Sequence, residues 1–340
     1  MTLIYSSSHI LYVFLQINLS FVEKSKVYEE CMSNLLLLII CLSLGVILQK
    51  VKSFPKDAYL GLNAVIINIC LPALTLLYTS EIKFKSNQLL PVLTPYILFI
   101  SSFIFFRIIA KTLNFDRSTT GALTITAGIS SISFVGFPIF ELLYGKAGVQ
   151  MGILMSQAGS FVVCGTLGIM TASFYSSSEP SAKSILKSIF TFPPFLAFCI
   201  AVCLNIIDFH FPSSVSEVLQ KLGSPFTVLA LLSVGLQISF SKANFAQKPL
   251  LIGLFFKLFI APLIIFVLYL ILLQENILLK ENAWIGEMCV VGAALGSMNT
   301  ASIIAINHKL NPPLASLMIG ISIPLSLITV IIWHYFLNLI

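Results

Sequence analysis

Charge is what this sequence has least of. Of its 340 residues, 13 are Asp or Glu and 19 are Lys or Arg, so charged side chains make up 9%, against about 25% in soluble domains. A chain so poor in charge cannot clothe a water-facing surface of its own size, which excludes an ordinary soluble domain, a disordered chain and a secreted disulfide scaffold. Ligand clusters are missing as well. The four His (His9, His210, His308 and His334) share no ligand spacing, and the seven Cys contain no Cys-x-x-Cys pair, so no metal or redox site is expected. There is no His-Glu-x-x-His, Gly-x-Ser-x-Gly or Gly-x4-Gly-Lys-Ser/Thr. Zinc proteolysis, the hydrolase elbow and nucleotide-driven pumping thus lack their central parts, and no enzyme or cofactor is expected. No basic cluster is interleaved with aromatics, so the formal charge of +6 does not read as nucleic-acid binding.

What is present is hydrocarbon. Hydrophobic residues make up 58% and mean hydropathy is +1.00, the composition of an all-α integral membrane protein whose partner is the lipid bilayer. Crossing a bilayer takes about 20 apolar residues. Ten apolar stretches of roughly that length are separated by short polar punctuation: 34–49, 58–79, 89–113, 118–145, 147–175, 191–207, 214–239, 249–274, 282–309 and 313–340. Residues 1–31 stand apart as an N-terminal extension, and Met32, directly before the first stretch, is an alternative start.

Lys and Arg set the orientation, because cytoplasmic loops hold their excess. With ten spans, one side holds ten: Lys50, Lys52, Lys56, Lys111, Arg117, Lys183, Lys187, Lys242, Lys248 and Lys309. The side with both termini holds six: Lys24, Lys26, Lys83, Lys85, Lys146 and Lys280. A multi-pass cell-membrane protein with both termini extracytoplasmic is expected. The polar insertion SSSEPSAKSILKS (176–188) then becomes a cytoplasmic linker between 32–175 and 189–340, each with five stretches. An odd number per half makes any repeat inverted in the membrane, the arrangement of many secondary transporters with central binding sites.

Two spans are interrupted at matching places. The fourth reads AGISSISFVGFPIF (127–140) and the ninth GAALGSMNTASII (292–304). Gly and Pro weaken helices, and backbone freed inside hydrocarbon is tolerated only where it is buried in protein or lines a cavity. Two such breaks in inverted halves would meet near the midplane. Their half-helix N-termini would present unpaired N–H groups and partial positive charge, suited to a carboxylate. Close helix packing is the competing explanation for the small residues, and it suffices for the Gly148/Gly152 pair. For the matched breaks we expect a site built from Ser131, Ser133, Gly136, Pro138, Ser297, Asn299, Thr300 and Ser302, with Gln157 of the fifth span as a polar contact. Charges within spans are costly. Lys257 is therefore a candidate to balance an anionic substrate or to pair with Glu287, and Glu287 and Glu141 are further charge-balancing or coupling candidates.

Three segments, LNAVIINICLPALTLL (62–77), SISFVGFPIFELLYG (131–145) and ASIIAINHKLNPPLAS (301–316), resemble the auxin efflux carrier family of membrane transporters, including its bacterial malate or malonate permease-like members. The second segment is the most specific, with Gly136-x-Pro138 and the Tyr144–Gly145 pair. The resemblance implies ten helices in two inverted five-helix repeats, helices four and nine broken and crossing, and a fold related to sodium/bile-acid symporters. It also implies a scaffold of helices one, two, six and seven against which the rest moves as an elevator, with a homodimer formed through the scaffold. Ser131 departs from an Asn of the family pattern, and Gly296 from a Pro. The function expected is a permease for a small organic anion, a mono- or dicarboxylate, with H⁺ or Na⁺ as the candidate coupling ion. The alternatives are a sodium-coupled symporter for another solute and a non-transporting sensor or structural subunit.

Overall fold

A computed structural model describes residues 36–55, 57–82, 88–176, 191–237, 247–275 and 282–339. The extension 1–31 and linker positions 177–188 lie outside the described residues. Within them every regular element is helical, and the apolar stretches of the sequence are where the helices fall. In chain order these are α1 (Leu36–Leu48), α2 (Ala58–Ser80), α3 (Leu89–Leu113) and α4 (Arg117–Gly128). A run from Ile132 to Ser176 is divided at Gly145 into α5 (132–144) and α6 (146–176). Then come α7 (Pro193–Ile206), α8 (Ser213–Gln237), α9 (Lys248–Gln274), α10 (Ala283–Ala294), α11 (Asn299–Asn307) and α12 (Pro312–Leu337). Six helical runs are long and apolar enough to cross a membrane, the run 132–176 counted as one.

The helix ends follow from local chemistry. Asn114 stops α3 in the left-handed conformation that Asn tolerates. The Asp116 side chain then accepts from the Thr119 N–H to cap α4, and Asn311 caps α12 ahead of Pro312 and Pro313, where a missing N–H costs nothing. Asn311 also donates to Thr119 Oγ1 at 2.8 Å, tying the start of α12 to the start of α4. At Gly145 the backbone has φ +60° and ψ −152°, a region essentially closed to residues with a Cβ. This is why the chain can turn there without a loop.

The helices pack in two groups. In one, α2 lies against α7 and α8, and α1 crosses α8 where Gly45 meets Gly235, with Gln49 Nε2 donating to the Gly235 and Leu236 carbonyls at 2.8 and 2.9 Å. The other holds α3 to α6 and α9 to α12, with α4 against α3, α11 and α12, and α10 against α9 and α12. The groups meet where α5 and α6 face α2, α7 and α8. Large aliphatic side chains such as Ile104, Ile331 and Ile332 are more than half exposed, whereas Thr94, Ser102, Thr124 and Ser326 are fully buried. That is the distribution of a bundle whose outer face meets lipid.

Candidate functional site

The site begins with two helices that end early. α4 stops at Gly128 and Ile129 is extended; α10 stops at Ala294 and Leu295 is extended. The two extended stretches run antiparallel and pair, Ser130 opposite Ser297. Ser131 N donates to Gly296 O at 2.9 Å and Met298 N to Ile129 O at 3.0 Å. Backbone groups freed from one helix are thus satisfied by the other, as burial demands. Each chain then re-enters a helix, α5 at Ile132 and α11 at Asn299. Two helix N-termini therefore flank a two-residue bridge, and their first N–H groups have no partner within their own helix.

Neighbouring helices hold the bridge in place. On one side Ser102 of α3 donates to Thr124 O at 2.9 Å. On the other Ser297 N donates to Ser322 Oγ at 2.9 Å, and Ser322 Oγ donates to Ser297 Oγ at 3.1 Å. Gly296 lies directly on α12, where an added Cβ would stand 2.7 Å from Ile323 Cα. No residue with a side chain fits that crossing.

A cavity of about 20 Å³ lies at the bridge, lined by Ser130, Ser131, Ser133, Ser160, Asn299 and Thr300 together with Ile132, Phe134 and Met298. Ser133 Oγ and Ser156 Oγ share a hydrogen bond of 2.7 Å. Ser160 is buried and its hydroxyl has no partner among the described residues. Gln157, one turn earlier, is fully buried, and neither amide atom has a partner among the described residues. Asn299 Nδ2 donates to Gln237 Oε1 of α8 at 2.7 Å, while its Oδ1 is covered and has no partner among the described residues. Gln157 and Ser160 sit on a π-helical turn, Met155–Phe161, a distortion that recurs at functional sites.

Lys257 also sits on a π-helical turn, Phe256–Ile260. Phe255 and Phe259 stack on the outer surface, whereas Lys257 is completely buried and donates to Ser130 Oγ at 2.6 Å. Its expected partner Glu287 is engaged elsewhere: the half-buried carboxylate accepts from Tyr269 OH at 3.5 Å. The two ion pairs of the described residues, Lys146–Glu81 and Lys221–Glu217, are both exposed.

The structure thus gathers Ser131, Ser133, Asn299 and Thr300 around one cavity and sets Ser297 and Lys257 behind it. Gly136 packs on Leu295 of the opposite break. Three expected residues lie elsewhere. The Ser302 hydroxyl is spent on Ala315 O at 2.8 Å. Pro138 and Glu141 line a separate cleft of about 160 Å³ with Leu37, Leu38, Ser224, Thr227 and Val228, where Thr227 donates to Glu141 Oε2 at 2.8 Å. Ser130, within the small and polar stretch of the fourth span, was not among the expected site residues, and Ser160 and Gln237, also close to the bridge, were not singled out from the sequence. An isolated Ser or Gln in an apolar run carries no signal of what it faces.

Fold and site define a multi-pass, membrane-embedded helical protein with a polar crossing buried at its centre. A family model described as membrane transport protein matches residues 31–334, and the chain belongs to that family. It is 27% identical over 308 residues to an uncharacterized transporter of Methanothermobacter thermautotrophicus, covering 88% of this chain and 96% of that protein. To an uncharacterized transporter of Methanocaldococcus jannaschii it is 24% identical over 318 residues, covering 89% and 98%.

Proposed function

We propose that the chain is a secondary carrier for a small organic anion, a mono- or dicarboxylate, bound at the crossing of two broken membrane helices. In this reading α4 with α5 and α10 with α11 each make one interrupted span. The chain then crosses the membrane ten times, as two inverted five-helix repeats with both termini outside, an orientation supported by the Lys and Arg distribution. The observation that carries the proposal is the buried Ser160 hydroxyl in the wall of the cavity, which has no partner among the described residues, with the likewise unpartnered amide of Gln157 one turn before it. In hydrocarbon each such group costs several kcal/mol, a cost that a polar solute bound there offsets.

The chemistry suits an anion. Two helix N-termini direct N–H groups and partial positive charge toward the cavity, the hydroxyls of Ser131, Ser133 and Thr300 line it, and the Lys257 ammonium stands one hydroxyl behind it through Ser130. No Asp or Glu lines the cavity, so nothing there repels a carboxylate. Transport follows if the group holding the bridge slides against α1, α2, α7 and α8 as an elevator, the bound solute shifting the population between outward- and inward-facing states.

Counterflow in proteoliposomes tests this. Vesicles preloaded with malate, malonate, lactate or indole-3-acetate should accumulate trace label of at least one of them. Ser133→Ala and Thr300→Val should each slow that exchange about tenfold, the usual consequence of losing one hydrogen bond to a charged group. Folded protein that exchanges none of these acids would sink the proposal.

A further inference from the structure

The cleft of Pro138 and Glu141 is far roomier than the cavity at the bridge, about 160 Å³ against about 20 Å³. A cavity of about 150 Å³ takes up benzene, so a ligand of about six heavy atoms fits. Leu37 and Leu38 of α1, Leu142 of α5 and Val228 and Leu231 of α8 make the walls aliphatic. The polar side chains are Glu141, Ser224 and Thr227, with no Lys, Arg or His beside them. A hydroxyl has one proton to give, and both are given within the protein: Thr227 donates to Glu141 Oε2 at 2.8 Å and Ser224 to the Lys221 carbonyl at 3.1 Å. What these three side chains still offer is lone pairs alone. Glu141 has no ion pair among the described residues, since Lys146 of α6 is held by Glu81 at 2.7 Å and Lys221 by Glu217 at 2.7 Å.

A carboxylate finds no side-chain donor there, so the cleft is no second seat for an anion. Its complement is a cation that only donates, carried on hydrocarbon. We infer that the cleft binds a small aliphatic primary ammonium. Such a group has three N–H donors and no acceptor, which Glu141, Ser224 and Thr227 can take, and a chain of about four carbons fills the space between the leucines and the valine. An unpaired charge within a membrane span is costly, and a cation beside Glu141 offsets that cost. Two sources carry this chemistry, a free amine and the ethanolamine headgroup of a lipid. Because α1 and α8 belong to one helix group and α5 to the other, a ligand seated here touches both.

The test is thermal unfolding of the full chain in a neutral detergent. Butylammonium chloride should raise Tm saturably, by about 2 °C or more. Across ethyl-, propyl- and butylammonium the half-saturating concentration should fall about two- to fourfold per methylene. Butanol, which lacks the charge, and tetramethylammonium, which lacks the N–H donors, should do neither. The rise should vanish in Glu141→Gln, and Ser224→Ala should weaken binding about fivefold. If phosphatidylethanolamine in place of phosphatidylcholine also raises Tm, and only with Glu141 present, the source is lipid; if butylammonium alone does so, it is a free amine. A rise matched by butanol, a rise kept in Glu141→Gln, or no rise with any ammonium or with the lipid would each overturn the inference. Binding is read without any acid present, so it is decided separately from the carboxylate reading.

Discussion

Lys257 shows what a single residue can reveal. Its place in an apolar run, flanked by Phe255, Phe256 and Phe259, is legible in the sequence, and so is the penalty of about 2.5–3.5 kcal/mol for a charge near the membrane centre. Its partner is not legible. One extra residue in the turn Phe256–Ile260 aims it inward at Ser130 and leaves Glu287 to Tyr269. Replacing a buried charge by an apolar side chain of similar volume is often neutral or stabilising, whereas a charge kept for function is missed only in function. Lys257→Met should therefore keep or raise the Tm of the purified protein in detergent while cutting carboxylate counterflow at least tenfold. A fall in Tm with exchange preserved would make Lys257 a structural residue. Gln157 is the complementary case: one Gln in a span reads equally well as an interhelical bond, and only the absence of a partner for its amide among the described residues separates the two readings.

Among the elements, the ends of α4 and α10 are well written in the sequence. Small and polar residues at 128–136 and 292–302 announce weak helix, and the helices do stop at Gly128 and Ala294. Which residues pair across the gap could not be read, because the bridge of Ser130 with Ser297 joins positions 167 apart in the chain. Two glycines carry separable costs. Gly296→Ala would drive a Cβ to within 2.7 Å of the α12 backbone, moving the bridge itself. Gly145→Ala meets nothing within 4 Å, but its φ of +60° costs a residue with a Cβ about 1–3 kcal/mol. Thermal unfolding and counterflow together should show Gly296→Ala losing exchange well beyond its loss of Tm, and Gly145→Ala losing Tm with exchange largely kept. Equal behaviour of the two would mean that bridge geometry is not what transport depends on.

At the scale of the whole molecule the question is whether the two helix groups move. Among the described residues, polar contacts that join them include Asn299 with Gln237, Glu141 with Thr227, and Lys146 with Glu81 and the Tyr78 ring. An elevator stroke must break these. In a background with its native cysteines replaced by Ser, Glu141→Cys with Thr227→Cys should react with a short, membrane-impermeant bis-maleimide added from outside, since the cleft they share lies toward the Lys146 end of α5. Counterflow should then stop, while each single variant treated alike keeps exchanging. Full exchange by the cross-linked protein would exclude sliding at this interface, and reaction from the inside only would reverse the orientation.

The sequence by itself determined the solvent of this protein, the places of its helices and the small-residue stretches where α4 and α10 end. Those depend on composition and on local backbone preference, which act over a few residues. Tertiary structure alone decided that Ser302 faces α12 and Pro138 a separate cleft, that Lys257 answers to Ser130, and that Asn299 bonds Gln237 of α8. Each of these is a contact between helices far apart in the chain, fixed by how the bundle packs and by the direction of hydrogen bonds that begin on another helix's backbone.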